Sequence, residues 1–132
     1  MPETPTRPLE KLENNREELP LAAGTVPAAV GTPGILDLLR LAIERRASDL
    51  HIAVSAPPIL RIDGELMRTD FPLITREEGK RLIYSLLSDT QKAHFEREQE
   101  LDFSVAVQDL GRFRVNVHYQ RGSVEAAFRA VP

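Results

Sequence analysis

Three successive stretches of alternating apolar and polar residues, within residues 101–129, constrain the fold of this chain most. They are interrupted at Asp109-Leu110-Gly111 and at Arg121-Gly122, and this pattern predicts a three-stranded antiparallel meander. Alternate side chains of a strand lie on opposite faces, so one face is an apolar core. That face carries Leu101, Phe103, Val105, Val107, Phe113, Val115, Val117, Tyr119, Val124, Ala126 and Phe128. The other face carries Asp102, Ser104, Arg112, Arg114, Asn116, His118, Glu125 and Arg129.

The turns of the meander fix a strand register. A three-residue turn with Gly111 in the left-handed conformation predicts that Val107 pairs with Phe113 and Val105 with Val115. A two-residue turn at Arg121-Gly122 predicts that Val115 pairs with Phe128, which places Arg114 directly opposite Arg129. Like charges that face each other across exposed strands destabilise the sheet by up to about 1 kcal/mol.

Two interpretations of these arginines remain open. Their guanidinium groups could extend into water or pair with Asp102, Glu125 or an acidic residue elsewhere, in which case they contribute little. Alternatively, this face binds an anion, since the planar guanidinium group grips phosphate oxygens through several donors.

The helices of the chain are predicted from caps and from apolar periodicity. Thr32 as N-cap and Pro33 at the first helical position begin a helix that ends near Arg45 or Arg46. Thr75 and Glu78 form a capping box that begins a second helix. The Ser88 to Gln91 box begins a third, ending near Arg97, with Ala93 and Phe95 as its anchors in the core.

The remaining strands lie between the first two helices. Residues 49–54 alternate in polarity and predict a strand that Pro57 and Pro58 follow. Asp63-Gly64 lies between two short extended runs, which is a strong signal for a hairpin with a type I′ turn. Helices gathered in blocks around hairpin-connected strands predict an α+β fold on an antiparallel sheet.

The chain is expected to form one domain at residues 34–132, preceded by a flexible tail at residues 1–33. The tail holds six of the ten prolines and no aromatic residue. The absence of cysteine excludes disulfides, thiol catalysis and thiolate metal sites. A net charge of −3 argues against nucleic-acid binding, and no apolar run approaches the roughly 20 residues of a membrane span, so we expect a soluble intracellular protein.

Two other possible sites have simpler explanations. Gly79-Lys80 lacks the glycine and the hydroxyl residue that a phosphate-binding P-loop requires around it, and it falls inside a predicted helix. Asp49 and His51 lie on one side of a strand, but two ligands do not make a metal site, and a hydrogen-bonded structural pair is the favoured interpretation.

Several spaced motifs together resemble the N-terminal domain of the PilT-type retraction ATPases of type IV pili, within the type II/IV secretion ATPase superfamily. The motifs are Ala47-Ser48-Asp49-Leu50-His51, Pro57-Pro58, Arg61-Ile62-Asp63-Gly64, Asp102-Phe103-Ser104, Arg112-Phe113-Arg114-Val115-Asn116, Gln120-Arg121-Gly122 and Phe128-Arg129. The resemblance covers residues 34–132.

This resemblance implies a PAS-like α+β domain followed by a RecA-like ATPase core, assembled as a homohexameric ring that drives pilus retraction. It implies that Arg114 and Arg129, and with them Arg112 and Arg121, contact the phosphates of ATP held with magnesium by that core. Asp49, His51, Asp63 and Gly64 are then signature residues with structural roles. The location implied is the cytoplasm, at the inner face of the cytoplasmic membrane beside the pilus platform.

The chain ends at Pro132, where the family continues into its ATPase core. We therefore expect an excised or truncated domain that binds no cofactor and hydrolyses no ATP alone, since phosphoryl transfer needs a phosphate cradle and a metal. Two alternatives are an N-terminal domain of a pilus-assembly or type II secretion ATPase, and a free-standing PAS-like ligand sensor or adaptor. The reading frame beyond Pro132 distinguishes a motor from a sensor.

Overall fold

The computed structural model describes residues 33–132, and in them three helices and six strands alternate in blocks. In chain order they are α1 (Ile35–Glu44), β1 (Asp49–Ile52), β2 (Ile59–Ile62), β3 (Glu65–Arg68), α2 (Arg76–Tyr84), α3 (Asp89–Glu98), β4 (Glu100–Val107), β5 (Gly111–Gln120) and β6 (Ser123–Val131). The predicted α+β class is confirmed. Apart from Pro33, the predicted flexible tail lies outside the described residues.

All six strands pair antiparallel in one sheet, in the order β3-β2-β1-β6-β5-β4. The two central strands are the first and the last along the chain, with Leu50 of β1 opposite Phe128 of β6. This pairing joins the N-terminal hairpin to the meander and makes one continuous sheet. Among the described residues, no helix is long and apolar enough to cross a membrane.

The helices pack on one face of this sheet, and the core lies between them. Buried residues of α1, α2 and α3, including Leu38, Ile83 and Phe95, share one cluster with the apolar residues of β1, β5 and β6. The apolar face predicted for β5 and β6 is confirmed. Leu101 and Phe103 of β4 are only half-buried, because β4 is an edge strand with a neighbour on one side.

The predicted start of α1 is wrong by two residues. Gly34 is the N-cap, and its backbone N–H donates to the Asp37 carboxylate at 2.9 Å, so Pro33 precedes the helix. The end at Arg45 is confirmed as the C-cap. Thr32 lies outside the described residues.

The two other predicted helix starts are confirmed. The Thr75 hydroxyl caps α2 by accepting from the Glu78 backbone, although the Glu78 carboxylate pairs with Arg81 at 2.6 Å. Ser88 and Gln91 form both hydrogen bonds of the capping box of α3.

The predicted end of the third helix is confirmed, and one of its two predicted anchors is wrong. Helix α3 ends at Glu98, next to Arg97. Phe95 anchors α3 with no exposed surface, whereas Ala93 is exposed, so its predicted role as an anchor is wrong.

The hairpin turns determine the strand registers. Asp63 and Gly64 have φ values of 51° and 83°, and Arg121 and Gly122 have 54° and 80°, so both predicted two-residue turns are confirmed. Left-handed backbone at both central positions is what a type I′ turn requires.

The predicted register between β4 and β5 is wrong by two residues. Val107 pairs with Gly111 and Val105 with Phe113, because Gly111 already opens β5. Gly111 does have a positive φ of 127°, but the turn residue in the left-handed helical region is Asp109, with a φ of 67°. A shift of two residues keeps every side chain on its face, so apolar residues still meet apolar residues. Strand β1 ends at Ile52, two residues earlier than predicted.

Candidate functional site

A row of polar side chains, most of them charged, crosses the face of the sheet opposite the helices. Its members are cross-strand neighbours from β2 to β4, and we call them the arginine row: Arg61, Asp49, Arg129, Arg114 and Ser104. The predicted pairing of Arg114 with Arg129 is confirmed. The row therefore combines three guanidinium groups with a single carboxylate.

Asp49 is the partner of Arg129, and the β1–β6 pairing brings the two residues together. The Nε of Arg129 donates to Oδ2 of Asp49 at 3.3 Å, and the Ser48 hydroxyl donates to Oδ1 at 2.6 Å. The Asp49 side chain is 9% exposed and that of Arg129 is 74% exposed. Arg129 therefore pairs with an acidic residue outside the meander, which is one of the arrangements that the first interpretation allowed.

The environment of Asp49 favours its ionised form. Burial opposes ionisation and by itself raises the pKa. The hydrogen bonds from Ser48 and Arg129, together with the charges of Arg129 and His51, outweigh burial, so the pKa of Asp49 lies below its ordinary value. Asp49 is therefore a fixed negative charge between Arg61 and Arg129.

The other arginines on this face of the sheet form no ion pair with an acidic residue in 33–132. Arg114 and Arg112 are exposed on the same face of β5, and neither side chain forms a hydrogen bond or ion pair with any residue in 33–132. Arg61 instead donates from Nη1 to the carbonyl oxygen of Gly64 at 2.9 Å. We call Arg112, Arg114 and Arg129 the arginine end, which carries a surplus of positive charge beside Asp49.

Arg121 does not lie with the other three arginines. It occupies the turn after β5, seven positions beyond Arg114. At about 3.3 Å per strand residue, the Cα atoms of Arg114 and Arg121 are roughly 23 Å apart. The four arginines therefore do not form one cluster on this face. A phosphate role for Arg121 elsewhere stays a prediction.

The opposite end of the open face is acidic and internally hydrogen-bonded. The Asn116 amide donates to Asp102 at 3.0 Å and to Glu100 at 3.2 Å. His118 lies 3.6 Å from the Glu125 carboxylate. Asp102 and Glu125 thus have partners other than the arginines with which the sequence could have paired them.

The remaining signature residues have structural positions. Asp63 and Gly64 form the turn that receives the hydrogen bond of Arg61. His51 shares the face of Asp49, and its Nε2 is buried without a hydrogen-bond partner in residues 33–132. The hydrogen-bonded pair predicted for Asp49 and His51 is wrong, because the Asp49 oxygens bond to Ser48 and Arg129 instead. The described part of the chain has no group of three or more His, Cys, Asp or Glu residues that could hold a metal ion.

Sequence reasoning missed Ser48 as a functional neighbour and did not connect Asp49 to Arg129. Residues 49 and 129 are 80 positions apart, and no local sequence pattern predicts that β1 and β6 pair. The only sequence signal was the polar position of Asp49 at the start of an alternating strand.

The ionised Asp49 should stabilise the fold in a pH-dependent way. Since its pKa in the folded protein lies below the ordinary value of 3.8, this contribution is complete above that pH and is lost as the pH falls through the lowered pKa. We expect Asp49→Asn to reduce the free energy of unfolding by about 1 kcal/mol at neutral pH and by much less in strong acid.

Urea unfolding of both proteins at pH 7 and in strong acid measures this difference. Glu65→Gln, which removes one exposed carboxylate from β3, is the control for net charge. A destabilisation by Asp49→Asn that is the same at both pH values would contradict the assignment.

Comparison with known proteins finds relatives among the ATPases of type IV pili. The chain is 38% identical over 98 residues to the type IV pilus retraction ATPase PilT of Pseudomonas aeruginosa, covering 74% of this chain and 28% of that protein. It is 32% identical over 99 residues to a twitching motility protein of Neisseria gonorrhoeae, covering 74% of this chain and 26% of the relative. No family model matches the chain.

A solved structure agrees with these relatives. The crystal structure of the pilus retraction motor PilT with bound ADP superimposes with a TM-score of 0.72 at 45% identity, covering 76% of this chain and 30% of that one. The chain spans less than a third of the length of each of these relatives.

Proposed function

Since the described domain belongs to the PilT-type family of type II/IV secretion ATPases, we propose that it is the N-terminal, nucleotide-sensing and ring-assembly domain of a type IV pilus retraction ATPase, a twitching-motility motor. In this role the domain does not carry out the chemistry itself. It supplies arginines to ATP held by a RecA-like core that follows it in the full-length protein.

The pairing of Arg114 with Arg129 is the observation that carries the proposal. Two guanidinium groups face each other across β5 and β6, Arg112 lies at the same end, and Asp49 pairs with only one of the three. An anion that meets this end relieves their repulsion and accepts hydrogen bonds from several planar donors. A polyphosphate has the charge and the oxygen atoms for this arrangement.

The proposed action is electrostatic. In ATP the terminal phosphate brings negative charge to the arginine end, and Arg114 and Arg129 stabilise the charge on its oxygens as the bond to that phosphate breaks. After hydrolysis and phosphate release the attraction weakens, so the domain is free to rotate away from the core. Nucleotide state is thereby coupled to domain position.

The partners follow from this role. We propose that ATP and magnesium are bound by the core, that neighbouring subunits complete a homohexameric ring, and that the ring works in the cytoplasm against the inner-membrane platform of the pilus. The solved PilT relative holds ADP, which supports nucleotide as the ligand of the complete protein. Nucleic acid is not among the proposed partners.

The reading frame that encodes residues beyond Pro132 provides the first test. The motor proposal expects a P-loop, with the glycines, lysine and hydroxyl residue that cradle phosphates, soon after this domain. A stop codon directly after Pro132 would instead favour a free-standing sensor or adaptor.

A further inference from the structure

Both oxygens of the Asp49 carboxylate are occupied, and this fixes the orientation of the group. The Ser48 hydroxyl holds Oδ1 at 2.6 Å and the Nε of Arg129 holds Oδ2 at 3.3 Å. Asp49 sits in a central strand with its side chain 9% exposed, between Arg61 on β2 and Arg129 on β6. The carboxylate is thus a rigid acceptor rather than a mobile surface charge.

Arg129 meets this carboxylate through one edge of its guanidinium group. Only Nε donates to Asp49, and no residue in 33–132 receives a hydrogen bond from either terminal nitrogen, Nη1 or Nη2. The side chain remains 74% exposed. Contact through Nε leaves four N–H groups on Nη1 and Nη2; one of them lies on the same edge as Nε, and the other three point away from Asp49 and are available to a ligand.

Arg114 provides an internal comparison. It is exposed on the neighbouring strand and has no polar partner in the described part of the chain, so its side chain must be ordered by whatever it binds. A long side chain that is ordered beforehand loses less conformational entropy on binding. Arg129 has that advantage and Arg114 does not.

From this contrast we propose that Asp49 is a positioning residue for phosphate binding: it holds Arg129 by Nε, with Ser48 as its support, so that the terminal nitrogens of Arg129 are presented to a polyphosphate. The inference rests on the proposed function and deepens it. It assigns a role to a signature residue that otherwise marks only the start of β1.

The Asp49 carboxylate could instead act only by repelling an anionic ligand, and the two roles predict opposite changes in anion binding for the alanine variant. If Asp49 only opposed the negative charge of the ligand, its removal would strengthen anion binding whether asparagine or alanine replaced it. If Asp49 positions Arg129, asparagine keeps an acceptor for Nε and preserves binding, whereas alanine loses the acceptor and weakens binding. The pair of variants therefore separates the two roles.

The test uses NMR on the whole 132-residue chain and on Asp49→Asn and Asp49→Ala. Hydrogen exchange at Nε of Arg129 and of Arg114 is measured first, and inorganic tripolyphosphate is then added. In the wild-type chain we expect slower exchange at Arg129 than at Arg114. In Asp49→Ala exchange at Arg129 should become as fast as at Arg114, and tripolyphosphate affinity should fall by about three- to tenfold. Asp49→Asn should bind within about twofold of wild type or more tightly.

The results separate failure of this inference from failure of the proposed function. If Asp49→Ala binds tripolyphosphate as tightly as wild type, or leaves exchange at Arg129 unchanged, the positioning role is overturned and the phosphate role of Arg129 stands. If Arg129 and Arg114 in the wild-type chain do not respond to tripolyphosphate at all, the phosphate role is overturned and this inference with it. Should Asp49→Ala fail to fold, Ser48→Ala takes its place, because it removes the hydrogen bond that supports the Asp49 carboxylate. Faster exchange at Arg129 with weaker tripolyphosphate binding then supports positioning, and unchanged exchange with unchanged binding overturns it.

Discussion

Replacing Arg129 or Arg114 with alanine, in the protein that joins this domain to its ATPase core, is expected to lower ATP turnover by about 100-fold or more, because arginines that stabilise phosphoryl transfer typically contribute factors of this size or larger. The two residues face each other on β5 and β6, so one terminal phosphate can meet both. Steady-state hydrolysis measured at saturating ATP gives the turnover directly.

Two further variants sharpen this experiment. Arg129→Lys keeps the charge but loses the planar fork, so we expect an intermediate turnover. Arg97→Ala removes an exposed arginine from α3, on the helical side of the domain, and should leave turnover within about twofold of wild type. Full turnover in both Arg114→Ala and Arg129→Ala would remove the basis for the proposed function.

Replacing Phe95 with alanine is expected to reduce the free energy of unfolding by about 3–5 kcal/mol, the usual cost of emptying a fully buried aromatic site. Phe95 is 0% exposed and joins α3 to the sheet. Its ring stacks on Tyr119 of β5 with centroids 4.6 Å apart and meets the Tyr84 ring edge-on at 6.3 Å. Because a domain of this size is stable by only about 5–15 kcal/mol, the variant should lose a large part of its stability.

Phe103→Ala is the matched control for this measurement. Phe103 also faces the core, but it lies on the edge strand β4 and is only half-buried, so its loss should cost about half as much. Chemical denaturation followed by circular dichroism gives both values. Equal losses for the two variants would show that Phe95 is not the anchor of α3.

The features predicted best are those that depend on residues close together in the sequence. The Arg121-Gly122 turn has two residues and a single favoured geometry, so it determined the β5–β6 register and placed Arg114 opposite Arg129. The turn before β5 is longer and admits more than one strand register, and registers that differ by two residues place the same side chains on each face. Here the predicted pairing was wrong by two residues, while the core face was right.

Long-range features were not predictable in this way. The ion pair of Asp49 with Arg129 depends on β1 pairing with β6 across 80 residues, and neither strand carries a signal for its distant partner. The two interpretations of the arginines therefore could not be separated by pattern alone. The structure gives Arg129 an acidic partner, whereas Arg114 has no side-chain partner in the described residues, which is compatible with either interpretation.

The separation of Arg121 from the other arginines, by contrast, follows from the predicted turn. The four arginines are close together in sequence, but Arg121 lies in the turn after β5, whereas Arg112 and Arg114 lie near the start of that strand. An extended strand places its two ends far apart.

The most direct test of the central claim compares two nucleotides. The affinities of a non-hydrolysable ATP analogue and of ADP are measured on the protein that carries the ATPase core and on its Arg114→Ala variant. If the arginine end contacts the terminal phosphate, the variant should bind the ATP analogue about tenfold or more weakly and bind ADP within about twofold of wild type. An equal loss of affinity for both nucleotides, or no loss for either, would contradict this account.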